Sequence, residues 1–237
     1  MKKILLLSMV VLFCFCKKNE TTTSDSENTM ATEDSTVVDE MKEYKIKSIT
    51  RKDYYADNKF GEFIQKEQVN RVVRRYNEDG LSYEVEIEVI DPSQARVAGD
   101  TLARKNNSNV FTYVPKAKEK GLVEMYTKAG ELVEVYKITE NKMVGYVADN
   151  MKEPFVIRTF DDRGNYDYQI INTGDEYLYV TKHRTIEKDE RGFATKTHAV
   201  AMQFKKHDSI DYDNLNYNDL ELVNKNYQVV EFKFETY

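Results

Sequence analysis

The sequence predicts an all-β domain: an antiparallel meander of hairpins forming a curled sheet, an open barrel or a sandwich. Three observations carry this. Apolar and polar residues alternate along several segments, which sends successive side chains to opposite faces of a strand. Turns recur in which an aromatic residue stands four positions before a glycine. The composition of 17 Tyr and 11 Phe, with 3 Pro and no Trp, suits strands with amphipathic faces.

At the N-terminus, Lys2 and Lys3 precede an apolar run over 4–15 that only Ser8 interrupts. As a helix such a run spans about 18 Å, too short for a bilayer core of about 30 Å. It fits the apolar region of a secretory signal. A signal that ends at a cysteine and continues into a polar stretch resembles a bacterial lipoprotein signal of the Bacteroidota type. The resemblance implies a diacylglycerol on the cysteine thiol and cleavage of the preceding peptide bond. Cys16 is the expected attachment residue, because the Cys-Lys-Lys-Asn beginning there looks like the mature start of such lipoproteins; Cys14 is the alternative. Phe precedes both, where the family places Gly, Ala or Ser. Lys17, where a retention Asp would stand, leans towards the outer membrane of a Gram-negative envelope.

The expected organisation is a signal peptide over 1–15, a lipid anchor and tether over 16–40, and one all-β domain over 41–237. Residues 19–39 are rich in Thr, Ser, Glu and Asp, and such a segment buries too little surface to offset its ordering entropy. Both cysteines lie in or beside the signal, so the domain must be stabilised by burial without disulfides. Net charge is −6 for the full chain and becomes more negative once Lys2 and Lys3 leave with the signal. Phosphate backbones are repelled by such a protein, which argues against nucleic acid as a partner.

Along the domain, residues 84–89 place Val85, Ile87 and Val89 on one face and Glu84, Glu86 and Glu88 on the other. Residues 230–235 do the same with Val230, Phe232 and Phe234 against Glu231, Lys233 and Glu235. Shorter strands are predicted over 44–47, 132–138, 166–171 and 177–181. Half-polar strands of this kind belong to antiparallel sheets. Helix signals are sparse: Pro92 after Asp91 starts a short one, and 57–72 holds one weak amphipathic stretch. Residues 208–218 read as a polar loop leading to the final strand.

The recurring turns are Tyr76 to Gly80, Tyr126 to Gly130 and Phe160 to Gly164, with a variant from Lys188 to Gly192 that lacks the aromatic. Glycine supplies a positive φ and Asp or Asn favours the positions before it. Gly61, Gly80 and Gly99 are nineteen residues apart, as are Gly145 and Gly164, which suits two short strands plus two turns. The pattern resembles the degenerate YD or Rhs-type hairpin repeats of bacterial envelope proteins, over about Val69 to Val200 at most.

Motifs of catalysis are absent: no glycine-rich phosphate loop, no Gly-x-Ser-x-Gly elbow and no His-Glu-x-x-His. No catalytic residue and no cofactor is therefore expected. His183, His198 and His207 lack metal-ligand spacing, although sheet folding could bring His183 and His198 within reach of one another. Asp211, Asp213, Asn216 and Asn218 offer alternating oxygens of the kind calcium takes, or an Asx-turn loop bonding its own backbone. Ser35, Thr101 and Ser209 each follow Asp and precede Thr, Leu or Ile, which resembles the Bacteroidota O-glycosylation acceptor. The aromatic C-terminal strand resembles the end of outer-membrane barrels, but charge on one strand face points to a soluble sheet.

The expected function is a non-catalytic binding or scaffolding module for a protein, glycan or lipid partner, held to the membrane through its lipid. Two alternatives are an envelope enzyme acting on glycans through paired carboxylates and a periplasmic lipid carrier. Paired acids in a deep pocket would mark the enzyme, and a large dry cavity would mark the carrier.

Overall fold

A computed structural model describes residues 41–90, 108–119, 121–139, 141–160, 166–207, 210–212 and 215–237. Its strands are β1 Ile46–Lys59, β2 Glu62–Tyr76, β3 Ser82–Val89, β4 Ser108–Thr112, β5 Val114–Ala117, β6 Leu122–Tyr126 and β7 Leu132–Ile138. They continue as β8 Lys142–Val147, β9 Asn150–Phe160, β10 Tyr166–Asn172, β11 Tyr177–Lys188, β12 Ala194–Lys205 and β13 Glu221–Thr236. All lie in one antiparallel sheet of order β4-β3-β2-β1-β13-β12-β11-β10-β9-β8-β7-β6-β5. The end strands β4 and β5 are separated in the chain by Tyr113 alone. The Tyr113 N–H still donates to the Tyr83 carbonyl at 2.8 Å, and Val114 then pairs with Tyr126. One length of chain thus passes from β3 to β6, and the sheet curls into a nearly closed barrel. Of the expected shapes, the open barrel is the one the chain adopts.

The predicted alternation survives in detail. In β3 the burial pattern alternates along the strand, with Val85, Ile87 and Val89 buried. Val85 lies opposite Arg74, Arg74 opposite Ile49, and Ile49 opposite Phe234. That row faces the lumen, where a cluster including Ile49, Val72, Val85, Ile87, Val123, Met125, Tyr136, Val230 and Phe232 fills the barrel. The outer face of β2 and β3 is charged: Arg71 lies 3.5 Å from Glu86 and 3.6 Å from Glu88, and Arg75 lies 2.5 Å from Glu84.

Three glycine turns share one geometry. The N–H groups of Asn77, Thr127 and Asp189 donate to the carbonyls of Leu81, Glu131 and Phe193, and Gly80, Gly130 and Gly192 donate back to the first residue. Each glycine has a φ between 74° and 88°, the left-handed region where a side chain is strained. The side-chain oxygen of Asn77 accepts from the Asp79 and Leu81 N–H groups, and that of Asp189 from Arg191 and Phe193. Tyr76 is buried at the first turn. The third has no aromatic before it, and there Phe193, just after the glycine, is buried instead. The Phe160 to Gly164 turn and the expected helix after Asp91 lie outside the described residues.

Two expectations are corrected. Residues 57–72 are not helical: they form the β1–β2 hairpin, turning at Phe60 and Gly61 with φ of 54° and 90°. Positive φ at two successive residues ends any helix and makes a hairpin turn whose twist matches the flanking strands. The described part of 208–218 is more than a polar loop. Ile210, Tyr212, Leu215 and Tyr217 pack on an apolar patch of Ile157, Ile170, Leu178, Val180, Phe204 and Leu220. Ile157 and Ile170 lie directly opposite one another, out of phase with Arg158 and Gln169, so the patch is on the outer wall.

Because the strands are antiparallel, both described chain ends lie at one end of the barrel, where the Tyr237 N–H donates to the Lys45 carbonyl at 3.0 Å. The Phe60 turn lies at the other. Gly145 of β8 is a point of close approach: a Cβ there would lie 2.7 Å from Val156 Cγ1 and 2.8 Å from Tyr136 Cε1. Gly145→Ala is expected to destabilise the barrel by about 1–3 kcal/mol through overpacking, read as a lower urea midpoint with an unchanged m-value.

Candidate functional site

The hairpin arm is built by a fork in the sheet. β1 pairs with β13 only as far as Ala56 opposite Tyr227, while its pairing with β2 continues to Lys59 opposite Glu62. Register shifts between Asp53 and Tyr54 and between Tyr54 and Ala56 bend the arm. The Phe63 ring stacks on His198 of β12 at 4.3 Å and meets Tyr227 edge-on at 5.4 Å. The arm therefore leans over the outer wall instead of continuing the sheet.

Between arm and β13 opens a cleft of about 580 Å³, lined by Tyr55 to Lys59, Lys66, Glu67 and Lys225 to Tyr227. Lys66 lies 2.7 Å from Asp57 and holds its carboxyl below the usual carboxylate range. The Lys225 ammonium sits 5.3 Å over the Tyr227 ring. At the tip, Phe60 is fully exposed, at 108% of its reference area, and the Gly61 N–H donates to Asn58 Oδ1 at 3.0 Å. Ile64 beside it is also exposed.

Inside the barrel, buried polar groups form two clusters. In the first, Arg74 of β2, Glu134 and Tyr136 of β7, and Arg158 of β9 share the lumen with Tyr113. Arg158 has 0% exposure; its Nε donates to Gln169 Oε1 at 2.8 Å and its Nη1 approaches Met143 Sδ at 3.4 Å. The Tyr136 hydroxyl donates to Glu134 at 2.8 Å. Part of Glu134 remains solvent-accessible, yet its carboxyl sits deep among protein atoms. Burial pushes it up to about 7, against the pull of the Tyr136 hydroxyl, Arg74 and Arg158. In the second cluster Arg51 pairs with Asp53 on β1, and His183 Nδ1 lies 3.3 Å from Thr197 Oγ1. Burial, reinforced by Arg51, lowers His183 to about 3 and keeps it neutral.

Of the residues singled out by sequence, Cys14, Cys16, Ser35, Thr101, Ser209 and Asp213 lie outside the described residues. Asp211, Asn216 and Asn218 lie in the loop before β13. There Asn216 Oδ1 accepts from the backbone and side-chain nitrogens of Asn218, at 3.2 and 3.0 Å, the Asx arrangement. Among the described residues no group of three or more His, Cys, Asp or Glu is placed to hold a metal ion. The sheet does not unite His183 and His198: the first opposes Ala199 inside the lumen, the second is on the outer wall beneath Phe63. The arm escaped sequence reading, although Phe60-Gly61 flanked by Asn58 and polar residues was a turn signal.

No family model matches the chain, and no curated protein matches it. Among solved structures it is similar to a porin-like protein from Bacteroides uniformis ATCC 8492, with 10% identity and a TM-score of 0.32 over 80% of this chain and 98% of that one. A likeness at this level says nothing about how the present chain works.

The two buried titrations oppose each other. Between 4.5 and about 7 the folded state holds a proton on Glu134 that the unfolded chain releases, so stability from this site falls as pH rises through that window. Between about 3 and 6.5 the unfolded chain binds a proton that His183 refuses, so stability from that site rises with pH. Thermal melts of Glu134→Gln across pH should show the variant gaining on the wild type from pH 4.5 to 7. His183→Gln should gain on it as pH falls below 6.5.

Proposed function

We propose that this chain is a lipid-anchored envelope protein and a non-catalytic binding module, which presents its hairpin arm to a partner protein. Phe60 carries the proposal. A bulky residue in the left-handed region costs about 1–2 kcal/mol relative to a residue suited to it, and a fully exposed aromatic gains nothing from the core. Gly or Asn would serve the turn better. Both costs are met when the ring is buried against a partner, as aromatic anchors are at interfaces. Exposed Ile64 extends the apolar tip.

The anchor rests on the N-terminal sequence: a short apolar run, too short to span, that ends at Cys16. Among the described residues no helix is long and apolar enough to cross a membrane. The ion-paired outer wall of β2 and β3 weighs against burial in lipid, where an arginine at the midplane costs about 2–4 kcal/mol. Buried guanidinium groups in the lumen weigh against the lipid carrier, which needs a dry apolar cavity. The arm turns at the end opposite the residue where the described chain begins, so it points away from an N-terminal tether.

Two measurements test this. Cys16→Ala should release the chain from the membrane fraction and leave its signal unprocessed; unchanged membrane retention and processing would remove the anchor from the proposal. Phe60→Asn should raise the melting temperature by relieving the turn. It should also cut capture of the partner from envelope extracts by roughly tenfold or more, the loss typical of an interface anchor. A variant that is neither more stable nor weaker in capture would sink the arm's role.

A further inference from the structure

We infer that the hairpin arm is a proton-released latch: Phe63 holds it down on His198 while that imidazole is neutral, and protonation of His198 frees it. The inference goes beyond the docking role of the tip and does not depend on it.

The arm has a root at which it can bend and one place at which it is fastened. Beyond Ala56 and Tyr227, β1 no longer pairs with β13, so the two arm strands pair only with each other. At the root the ladder steps from Asn70 to Gln68 while β1 advances by one residue, and from Gln68 to Gln65 while β1 advances by two. Each shift leaves an extra residue in β2, so the pairing is disrupted twice where the arm departs. Phe63 lies beyond this hinge. Its ring stacks on His198 of β12 at 4.3 Å, with the planes 9° apart, and meets Tyr227 of β13 edge-on. Both contacts are to the barrel wall, so they hold the arm closed.

The closed position suits only the neutral imidazole. His198 Nδ1 is buried and has no hydrogen-bond partner among the described residues. In the neutral ring the proton sits on Nε2 and Nδ1 is a bare lone pair; in the cation both nitrogens carry protons. The face of Phe63 attracts a cation, but a charged donor buried without an acceptor costs more than that attraction returns. The neighbours add to this. Arg184 of β11 lies directly opposite His198, and Lys182 is the next residue on that face, opposite Val200. On the other side Val229 of β13 is opposite, between Tyr227 and Glu231, with Tyr54 of β1 beyond it. The carboxylates of this face stand against Lys196 and not against His198: Glu187 and Glu231 oppose Lys196 from either side, the second at 3.8 Å. The arm brings Gln65 on the same face as Phe63; its Lys66 is paired with Asp57, and its Glu67 lines the cleft. Burial, then Arg184 and Lys196, hold His198 below its ordinary value of 6.5. The closed arm thus refuses a proton that the open arm takes up, so closure weakens as pH falls below 6.5.

The chain has three histidines, so NMR of the full chain in detergent, labelled at the histidine rings, identifies His198 as the signal missing from His198→Phe. At neutral pH the Phe63 ring current should displace the His198 signal, and Phe63→Ala should abolish that displacement. On acidification the His198 signal should titrate with a midpoint below 6.5, and the displacement should vanish in the same step. Phe63→Ala should raise the midpoint towards 6.5, because the uncovered ring takes a proton more readily. Cross-relaxation between the Phe63 and Tyr227 rings reports closure independently. It should disappear on acidification in the wild type and persist in His198→Phe, which keeps a ring beneath Phe63 and takes no proton. A midpoint at or above 6.5, a midpoint unchanged in Phe63→Ala, or a stack that survives protonation would overturn the latch. Equal loss of the Phe63 and Tyr227 contact in acidified His198→Phe would overturn it as well.

Discussion

The ladder between β1 and β13 joins the first strand to the last, and the barrel exists because that ladder forms. Every other pairing is between strands that follow one another in the chain, so each can form as a local hairpin. Pairing Ile49 with Phe234 and Asp53 with Val230 closes a loop of almost the whole domain. Closure entropy rises only with the logarithm of loop length, so this one long-range step is thermodynamically modest, and it is the slow one by contact-order reasoning. Once made, it wraps the meander so that its inner face becomes a lumen. The covalent hand-off at Tyr113 finishes the circle at the far side.

A lumen made this way has to hold whatever the strands send into it. Alternation places Arg51, Asp53, Arg74, Glu134 and Arg158 among Val, Ile and Phe side chains. A lone buried charge would cost several kcal/mol. Here the charges have company: Arg51 has Asp53, Arg158 has Gln169, and Glu134 has Tyr136 with two guanidinium groups near it. The bonds lie within β1, within β7 or between the neighbours β9 and β10; what reaches across the lumen is the electrostatic pull of Arg74 of β2 on Glu134 of β7. Interior polarity is compatible with a filled core and is not by itself a sign of a channel.

The strands and glycine turns were legible because period-two alternation and positive-φ glycine are local properties. Residues 132–138 were read to the residue, and the Tyr76 and Tyr126 turns have the geometry their side chains imply. The arm reads as helical because Phe60, Phe63 and Ile64 stand at i, i+3 and i+4, the spacing of a helix face, and only pairing with β1 decides between the two. The loop before β13 looked polar by composition, yet its sparse apolar residues all land on one outer patch. Arg74, Glu134 and Arg158 could not be recognised as interior: each is a charged residue beside an apolar one (Val73, Val133 and Val135, Ile157), so alternation reads it as facing solvent, and which face is the lumen is settled only when the barrel closes. The cleft depends on where two strands diverge, which no single segment records.

The position of β1 also bears on how the domain carries load. The described chain begins at one end of β1, which lies mid-sheet with a long neighbour on each side, β2 and β13. A pull transmitted through the N-terminal segment runs along the axis of β1. It strains both of its hydrogen-bond ladders together in shear, so their rungs must break together and not in succession. Whatever tugs on the arm at the opposite end pulls along that same strand. Bound at both ends, the barrel would act as a stiff link in which β1 is the tensioned member.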